Sequence, residues 1–432
     1  MTLTWIGYTT LYRSGGPKLE RAARTMAREL AAQGVEVVCE AVESKQDFVQ
    51  AMQRIEHNGK RLAALHFVGH GGMYGPMFRT DAMPEQFSPH EWRNLQLPFA
   101  AGASAHFHTC RSARWFANFF AQTFGVPTYG NWLYTSFSRQ PGRFVPDFGH
   151  RPDAPLYVVA TAGKKSHGLV GAARKYSGLG KIEPMLRFLP QSAAPDTSYA
   201  KVAELYDRAF ADIGVRGPEL AWLERHLPAS VPLLVDIGTG NGALPARLAS
   251  RAERIVGLDA SPEMIARAKA RHAGNGKLEF QVIDGPHIPL PDQSVDVVTS
   301  LLSWRYLDWD PLMMEIRRVL KPGGRLLVVD MVALPLPWRD APRFALDKWR
   351  QYRNHGRHRE FAVNLKQLVD NPHWKDMLKY NPMRAEHEYR WYFESRFPGR
   401  KVEVLTVGST SRVLAFDTGA LEPGWTMPQS YP

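Results

Sequence analysis

The sequence predicts an α/β protein of two domains, and three observations support this prediction. The chain has 432 residues, which is more than one domain of ordinary size. Strand-like apolar stretches alternate with helical stretches, as in a parallel sheet covered by helices. The alternation stops in LPQSAAPDTSYAK at 189–201, a small and polar stretch with two prolines, and then starts again. We therefore predict domains over 1–190 and 201–432, joined by a linker over 191–200.

The first domain is predicted to begin with a strand and then to alternate regularly. The stretch PKLERAARTMARELAAQG has helical spacing, with a proline near its start and a glycine at its end. Ser44 precedes a second helical stretch and has the side chain of a helix N-cap. The predicted strands are TWIGYTTL, VEVVCEAV, LAALHFVG, ASAHFHTC and VPTYGN, with the helix RWFANFFAQTFG before the last of them.

The second domain is predicted to open with a helix over about 217–227. Its predicted strands are PLLVDIG, RIVGLDA, LEFQVID, VDVVTS and RLLVVDM, and its helices are ALPARLASR, PEMIARAKARHA and PLMMEIRRVL. Residues 338–397 form an insert that is predicted to be helical and rich in aromatic and basic residues. The stretch KVEVLTVGSTSRVLAFDTG then predicts an antiparallel hairpin around a Gly-Ser-Thr turn.

Composition excludes several classes of protein. The two cysteines, Cys39 and Cys110, exclude a disulfide scaffold and predict a reducing, cytoplasmic location. We find no secretory signal and no apolar run long enough to span a membrane. Residues 1–190 contain 22 Lys and Arg against 13 Asp and Glu, which is +9 of the net charge of +12. Because these basic residues are scattered, we expect neither a nucleic-acid nor a membrane partner, and the oligomeric state is left open.

A glycine turn follows the predicted strand PLLVDIG. In VDIGTGNG, the residues Gly238, Gly240 and Gly242 allow the backbone to come close to a ligand. Asp236 lies on the strand, and Asp259 ends the next strand in VGLDA. A carboxylate in that position can accept hydrogen bonds from both hydroxyls of a ribose. The pattern predicts a nucleotide-type cofactor, and NAD-binding domains use a similar turn.

The order of the motifs resembles the class I S-adenosylmethionine-dependent methyltransferases, in particular the small-molecule branch typified by the ubiquinone/menaquinone C-methyltransferases. QVIDGPHIPLPDQSVDVV, RVLKPGGRLLVVD and the terminal hairpin complete the set. The resemblance covers about 199–335 and 401–418, and it implies a Rossmann-like fold with S-adenosyl-L-methionine as the cofactor. An NAD-binding domain and an inactive methyltransferase fold are the alternatives. Carried over by position, the cofactor-binding residues are Asp236, Gly238, Gly240, Gly242, Asp259, Ala260, Asp284, Gly285 and Ser300.

The resemblance also implies a role for each part of this site. Asp236 and the glycine turn would line the methionine end of the cofactor, and Asp259 would bind its ribose. Asp284 and Gly285 would border the adenine, and residues 300–307, SLLSWRYL, would line the cleft beneath the reactive methyl group. Inserts at this place in the fold commonly shape the substrate pocket, so the insert 338–397 is a candidate substrate lid, and an amphipathic helix that flanks the cleft is the alternative for 347–361.

No base is assigned to the methyl transfer, because alignment of the reacting atoms supplies much of the rate in such reactions. A base is needed only where the acceptor must lose a proton. The residues with a suitable side chain are His287, Tyr306, Asp308, His355, His358, His387 and Tyr389. Each of them fits a pocket wall or a solvated position as well as a catalytic role.

A second and different glycine turn stands in the first domain. His70 follows the predicted strand LAALHFVG, and Cys110 ends the next one, ASAHFHTC. Residues just past the carboxyl ends of neighbouring parallel strands lie side by side, where a histidine can activate a thiolate. No Lys-Ser/Thr follows the turn, which argues against a phosphate loop. The two segments resemble the caspase-like clan of cysteine peptidases, including CHAT-type domains, over about 3–135.

This second resemblance implies that Cys110 is a nucleophile and His70 its general base, with oxyanion donors from the Gly71–Gly72 backbone. We expect both side chains to be partly exposed and within about 4–7 Å of each other. The TCRSARWF flank departs from the family, because it lacks the glycine that follows the cysteine of many caspases. A buried structural cysteine is one alternative, and a metal site is another. The histidines available to a metal ion are His66, His70, His106 and His108.

The sequence thus predicts a two-domain enzyme that transfers a methyl group from S-adenosyl-L-methionine to a small molecule or peptide. The alternative is a cysteine peptidase or peptide-processing protein that uses His70 and Cys110, with the methyltransferase domain as an accessory. A third interpretation is a binding module in which the first domain only presents the substrate. We expect no resident metal ion in any of them.

Overall fold

The structure is a computed structural model of the chain. The residues it describes are 1–11, 15–79, 85–148, 153–161, 176–177, 181–191, 200–334, 336, 338–354, 359–380, 383–408 and 411–422. The chain divides at 195/196 into two compact units, named here the N-terminal unit and the C-terminal unit. The predicted linker over 191–200 lies, apart from its two end residues, outside the described residues.

The N-terminal unit alternates strands and helices along the chain as predicted. In chain order its described elements are β1 Thr2–Tyr8, α1 Gly16–Ala32, β2 Val37–Ala41, α2 Lys45–His57, β3 Arg61–Val68, β4 His70–Gly72, β5 Gly75–Met77, α3 Pro89–Asn94, β6 Phe99–His108, α4 Phe116–Phe124, β7 Thr128–Gly130, β8 Thr135–Ser138, β9 Tyr157–Thr161, β10 Ile182–Glu183 and β11 Leu186–Phe188. The Ser44 side chain caps α2 by accepting a hydrogen bond from the Asp47 amide (3.0 Å), as its position predicted.

The main sheet of this unit has the order β2-β1-β3-β6-β7-β11. Its pairs are parallel except β7–β11, which is antiparallel. The sequence did not predict the β4–β5 hairpin or the separate antiparallel sheet β8-β9-β10. These strands are only two to five residues long, which is too short for a hydrophobic alternation to stand out.

Aromatic packing holds α4 against the main sheet. The Phe107 ring on β6 lies 4.8 Å from the ring of Phe116 and 4.9 Å from that of Phe120, both edge-on. Trp92 packs on the other side of Phe120, with 5.5 Å between ring centroids. Each buried ring contributes about 2–3 kcal/mol of hydrophobic stabilisation. The packing fixes the segment between β6 and α4, which contains Cys110.

From the helix Gly217–His226 onward the C-terminal unit follows the predicted order of elements, while the helix Ala203–Ala209 before it was not predicted. Its described elements are α5 Ala203–Ala209, α6 Gly217–His226, β12 Val231–Ile237, α7 Ala243–Leu248, β13 Ala252–Asp259, α8 Pro262–Arg271, β14 Leu278–Val282, β15 Val295–Leu301, α9 Trp309–Val319, β16 Leu320–Ala333, α10 Ala341–Asn354, α11 Arg359–Asp370, α12 Pro372–Tyr380, α13 Glu386–Arg396, β17 Glu403–Val407 and β18 Ser411–Asp417. The sheet formed by these residues has the order β14-β13-β12-β15-β16-β18-β17.

Five strands of this sheet, β12 to β16, are parallel, and β17 and β18 form the predicted antiparallel hairpin at one edge. The strand order reverses direction between β12 and β15. At that point the loops at the carboxyl ends of the two strands lead to opposite faces of the sheet, which leaves a crevice for a ligand. The fold is therefore a Rossmann-like sheet with a terminal hairpin.

The last helix of the insert belongs to the core of the C-terminal unit. Tyr389, Tyr392 and Phe393 on α13 are buried with Trp309 and Phe416, and the rings of Phe393 and Phe416 stack at 4.4 Å. The lid expected over 338–397 stays a prediction for α11 and α12 only, because α13 is part of this core and α10 is hydrogen-bonded to strand β17.

Helix α10 covers the open edge of the sheet. The Arg343 guanidinium donates to the carbonyl oxygens of Val404 and Leu405 on β17, the latter at 3.2 Å. The Asp347 carboxylate accepts a hydrogen bond from the Val407 amide at 3.1 Å. Two side chains one turn apart thus bond backbone groups of an edge strand, which protects that strand from pairing with another chain.

Among the helices of the described ranges, none is both long enough and apolar enough to cross a membrane.

We predict that limited proteolysis cuts the chain first within 191–200. That segment is polar and contains no Lys or Arg, so subtilisin is the suitable protease and trypsin is the matched control. Two stable fragments that correspond to the two compact units are expected by mass spectrometry. Stable fragments that end far from this segment would show that the domain boundary is wrong.

Candidate functional site

The glycine turn joins β12 to α7 at the carboxyl end of the parallel strands. Gly238, Gly240 and Gly242 have φ angles of +73°, +56° and +78°, a region that other residues rarely adopt. A Cβ atom added at Gly238 would lie 2.2 Å from the Cβ of Ser303, and one at Gly242 would lie 2.7 Å from the Phe280 ring. The backbone conformation requires glycine at all three positions, and the neighbouring side chains leave no space for a Cβ atom at Gly238 and Gly242.

Asp259, the last residue of β13, organises the glycine loop. Its carboxylate accepts hydrogen bonds from the amides of Gly240 (2.8 Å) and Ser261 (2.9 Å). The amides of Gly238 and Thr239 both donate to the carbonyl oxygen of Leu258 on β13, at 2.7 and 3.0 Å. Burial raises the pKa of Asp259, while the backbone amides oppose that rise. The loop is thus bonded along the end of the neighbouring strand.

Asp236 lies on β12 beneath the loop and is 1% exposed. The Thr299 hydroxyl donates to its Oδ1 atom at 2.7 Å. Burial raises the pKa of Asp236 to about 7, and hydrogen bonds to threonine hydroxyls oppose that rise. The next residue along β15, Ser300, is also buried, and its hydroxyl has no hydrogen-bond partner among the described residues. Because Ser300 has no exposed surface, a ligand does not reach its hydroxyl in this arrangement, and its place in the cofactor site stays a prediction.

The predicted adenine side lies in the loops after β13 and β14. Strand β14 ends at Val282, so Asp284 lies two residues beyond the strand rather than at its end, and its side chain is exposed. Gly285 beside it has a φ angle of +75°, and Ala260 is exposed directly after Asp259. Because the carboxyl ends of parallel strands share one edge of the sheet, these residues lie along the same edge as the glycine loop.

The predicted cleft segment 300–307 is anchored by a carboxylate that sequence reasoning missed. Asp330 on β16 has no exposed surface, and it accepts hydrogen bonds from the backbone amide and the guanidinium of Arg305, both at 2.7 Å. It also accepts a hydrogen bond from the Tyr389 hydroxyl at 2.5 Å. An acid inside the predicted apolar strand RLLVVDM was the available signal.

The candidates for a general base are spread over the C-terminal unit. The Tyr389 hydroxyl is held by Asp330, and burial raises its pKa well above the ordinary value, which indicates a structural role. His287 is exposed, with its Nδ1 atom 2.9 Å from Glu315. The Arg305 guanidinium lies over the Tyr306 ring at 4.7 Å. The remaining candidates are Asp308 directly before α9, His387 on α13, and His355 and His358, which lie outside the described residues.

His70 and Cys110 follow neighbouring strands, as the sequence predicted. Strands β3 and β6 are parallel, and their last opposed residues stand two positions before His70 and Cys110. The turn after His70 contacts the segment before Cys110, because a Cβ atom added at Gly71 would lie 2.8 Å from the hydroxyl of Thr109 and 3.2 Å from the carbonyl oxygen of Cys110. The structure therefore brings the two segments together at one edge of the sheet.

The surroundings of the two side chains differ. Cys110 is half-buried, and its sulfur accepts a hydrogen bond from the Thr135 amide (3.4 Å) and lies 3.2 Å from the Thr135 hydroxyl. His70 is the first residue of β4, pairs with Met77 in the β4–β5 hairpin and is buried, with 8% exposed. The expectation of a partly exposed His70 is wrong, because this hairpin was not predicted. The distance between the imidazole and the thiol stays a prediction.

The other histidines form a stack rather than a metal site. The rings of His66 and His106 stack at 4.4 Å, and His106 stacks on Tyr129 at 4.4 Å. His66 Nδ1 lies 3.1 Å from His108 Nε2, while His70 belongs to the separate hairpin. Within the described part of the chain, no group of three or more His, Cys, Asp or Glu residues is placed to hold a metal ion.

Burial of this stack lowers the pKa of each histidine. The pKa falls to about 4 for His106 and to about 3 for His108, and that of His66 falls well below its ordinary value. The cause is the loss of hydration of the charged imidazolium, together with the neighbouring histidines for His66 and His108. The three rings are therefore neutral at pH 7.

Comparison with known proteins identifies the C-terminal unit. Residues 235–328 match the family described as "Methyltransferase domain". The C-terminal unit contains a methyltransferase domain. This confirms the predicted class of the second half of the chain. The match covers the glycine loop and the ends of β13, β14 and β15.

Several relatives are similar to this half of the chain. A demethylmenaquinone methyltransferase from Thermus thermophilus is 32% identical over 28% of this chain and 58% of its own length. The ubiquinone/menaquinone biosynthesis C-methyltransferase UbiE of Rubrivivax gelatinosus is 33% identical over 32% and 56%. The uncharacterized methyltransferase YcgJ of Bacillus subtilis is 26% identical over 45% and 74%. The chain thus spans little more than half the length of the first two relatives.

We predict that the histidine stack makes the N-terminal unit sensitive to acid. Below pH 6.5 the histidines bind protons in the unfolded chain but stay unprotonated in the folded stack. The free energy of unfolding therefore falls as the pH drops from about 6.5 to about 3. Each histidine contributes a slope of up to about 1.4 kcal/mol per pH unit in that window. Hydrogen exchange of peptides from β3 and β6 should show the loss.

Two substitutions test this assignment, one within the stack and one at an exposed control position. His106→Gln, which keeps a partner for Ser104, should flatten the pH dependence, because one of the three protonations is removed. His57→Gln changes an exposed histidine at the end of α2 and should leave the dependence as it is. Equal slopes in the wild type and His106→Gln would contradict the assignment.

Proposed function

We propose that this chain transfers a methyl group from S-adenosyl-L-methionine to a small molecule. The observation that carries the proposal is the glycine loop bonded to Asp259 at the carboxyl edge of the sheet, inside the segment that matches the methyltransferase family. The carboxylate and the three positive-φ glycines are all in place, which favours an active site over an inactive methyltransferase fold. The two free cysteines agree with a cytoplasmic location.

The residues of this edge fit the proposed cofactor. Gly238 and Gly240 in the glycine loop are partly exposed and carry no side chain, so a ligand can approach their backbone closely. Asp259 would hold the ribose hydroxyls, and Asp236 would face the methionine end, where a carboxylate suits a cationic ligand. Asp284 with Gly285 and Ala260 would border the adenine. These assignments follow from position along the edge and from the chemistry of each group.

The cofactor supplies an electrophilic methyl group, so this chain needs only to bind and align the reactants. Asp330 fixes the 300–307 segment through its hydrogen bonds to Arg305, so the acceptor would bind against a rigid segment. Helices α11 and α12 would cover the acceptor and exclude water from the cleft. No residue is assigned as a base.

The acceptor is proposed to be a small molecule on two grounds. Two relatives are named for demethylmenaquinone and for ubiquinone/menaquinone biosynthesis, which are small molecules. The insert 338–397, which we propose to lie over the cleft, is rich in aromatic and basic side chains, and these suit an aromatic or acidic acceptor. We propose no nucleic-acid partner, and a peptide acceptor belongs to the second candidate function below.

Isothermal titration calorimetry tests the proposal on the intact chain. We expect micromolar binding of S-adenosyl-L-methionine, which corresponds to about −8 kcal/mol. Asp259→Ala should weaken binding by about 1.5–3 kcal/mol, because charged-acceptor hydrogen bonds to the ribose and to the loop are lost. Glu253→Ala, at an exposed position on the same strand, is the matched control and should bind normally. No binding by the wild type, or binding of NADH instead, would reject the cofactor assignment.

A second candidate function rests on the N-terminal unit. We propose that it is a caspase-like domain in which His70 is a base and Cys110 a nucleophile. The supporting observation is that both residues follow neighbouring parallel strands of the sheet and that their segments touch. The Thr135 amide is placed to stabilise a thiolate through its hydrogen bond to the sulfur. Such a site would cleave a peptide, or would present it to the methyltransferase domain.

Alkylation kinetics test this second candidate. Iodoacetamide should modify Cys110 faster than Cys39 at pH 8, because burial raises the pKa of Cys39 to about 11 and keeps it a thiol. His70→Ala should slow the reaction of Cys110, and His57→Ala, an exposed control, should leave it unchanged. If His70→Ala has no effect on the rate, the imidazole does not activate the thiol and the catalytic pair is rejected.

A further inference from the structure

Helix α5 carries a buried carboxylate that reaches the glycine loop. Asp207 is 8% exposed, and its Oδ1 atom accepts a hydrogen bond from the Asn241 side-chain amide at 2.7 Å. The Arg271 guanidinium binds both of its oxygens, each at 2.8 Å, and Arg267 lies 3.6 Å away. One carboxylate therefore links α5, the glycine loop and the carboxyl end of α8.

The partner of Asp207 in the glycine loop is the buried side chain of Asn241. Asn241 stands between Gly240 and Gly242, both of which have positive φ angles, and it is 6% exposed. Its side-chain oxygen accepts a hydrogen bond from the Ala243 amide (3.2 Å) at the start of α7, while its nitrogen donates to Asp207. With both ends of the amide used, the side chain fixes the path of the loop backbone between the two glycines.

The residue before Asp207 faces the same region. Tyr206 is half-buried, and burial raises the pKa of its hydroxyl. Asp259, Arg305 and Tyr306 also lie close enough to shift this pKa. These belong to the end of β13 and to the segment of the predicted cleft. Helix α5 therefore lies along the cofactor edge of the sheet, although its sequence shows no ligand-binding motif.

Helix α5 is itself held by the insert. Val202, Ala209 and Leu368 form a small buried cluster, and Leu368 belongs to α11. The Asn364 side chain, also on α11, donates to the carbonyl oxygen of Arg208 at 3.3 Å. The position of Asp207 is therefore set by packing from outside the parallel sheet.

We propose that Asp207 is a positioning residue for the methyl donor, because it holds the glycine loop through Asn241 in the shape that receives the cofactor. This inference rests on the proposed function, namely that the loop binds S-adenosyl-L-methionine. A loop that is already ordered binds its ligand without the entropic cost of ordering it. Loss of the carboxylate releases Asn241 and leaves the Arg271 charge without its partner, so binding should weaken although no cofactor atom is touched.

Calorimetry with S-adenosyl-L-methionine on the intact chain tests the proposal. Asp207→Ala should raise the dissociation constant about tenfold or more, the range set by loss of one or two charged hydrogen bonds. Asp207→Asn keeps the shape and one oxygen for Asn241, so it should bind more tightly than Asp207→Ala. Glu204→Ala, an exposed acid on the same helix, is the matched control and should bind like the wild type.

A double-mutant cycle separates positioning from a general loss of stability. Asn241→Ala should weaken binding about as much as Asp207→Ala, and the double variant should be no weaker than either, because both act on one contact. In the absence of ligand, hydrogen exchange of a peptide over 238–243 should rise in Asp207→Ala. Additive effects in the cycle, or wild-type affinity in Asp207→Ala, would overturn the proposal.

The outcomes for the two proposals differ. If the wild type and Glu204→Ala bind the donor and Asp207→Ala binds it equally well, the positioning role is rejected and the proposed function stands. If the wild type itself does not bind the donor, the proposed function fails, and the role of Asp207 toward the donor fails with it. Asp207→Asn, which changes no side-chain volume, keeps the test valid if Asp207→Ala does not fold.

Discussion

The buried carboxylate of Asp330 is the interaction on which the cleft of the C-terminal unit depends. A charge without exposed surface is tolerated only when hydrogen bonds surround it, and here the donors come from three parts of the chain. They are the backbone and guanidinium of Arg305, the Tyr389 hydroxyl and the amide of Met331. Since a lost donor would leave a buried charge unpaired, the cleft segment and α13 are held to the sheet in one arrangement.

Carboxylates that accept hydrogen bonds from nearby loops and strands recur along the carboxyl edge of the sheet. Asp259 binds the amides of the glycine loop, Asp236 binds a threonine hydroxyl on the neighbouring strand, and Asp207 binds the side chain within the loop. Each acid stands at or near the end of its strand or helix, where backbone amides and polar side chains are available. Three glycines make the backbone of the loop flexible, and the hydrogen bonds to these carboxylates restrict it to one conformation.

The N-terminal unit uses neutral rather than charged polar groups. Its histidines stack on each other and on Tyr129, and burial lowers their pKa values so that they carry no charge at neutral pH. Neutral rings pack across parallel strands without the desolvation penalty of an imidazolium. Cys110 lies next to this sheet, with its sulfur bonded to Thr135, on a segment fixed by the aromatic packing of α4.

The sequence by itself determined the alternation of strands and helices, the terminal hairpin, the glycine loop and the acids Asp236 and Asp259. These features follow from local rules, namely hydrophobic period, turn chemistry and the conformations open to glycine. Tertiary structure alone decided that Asp207 meets Asn241, that Asp330 anchors the cleft, that His70 is buried and that α13 joins the core. A buried acid and an exposed acid look alike in a sequence, because the difference lies in partners that are tens of residues away and meet only when the chain has folded.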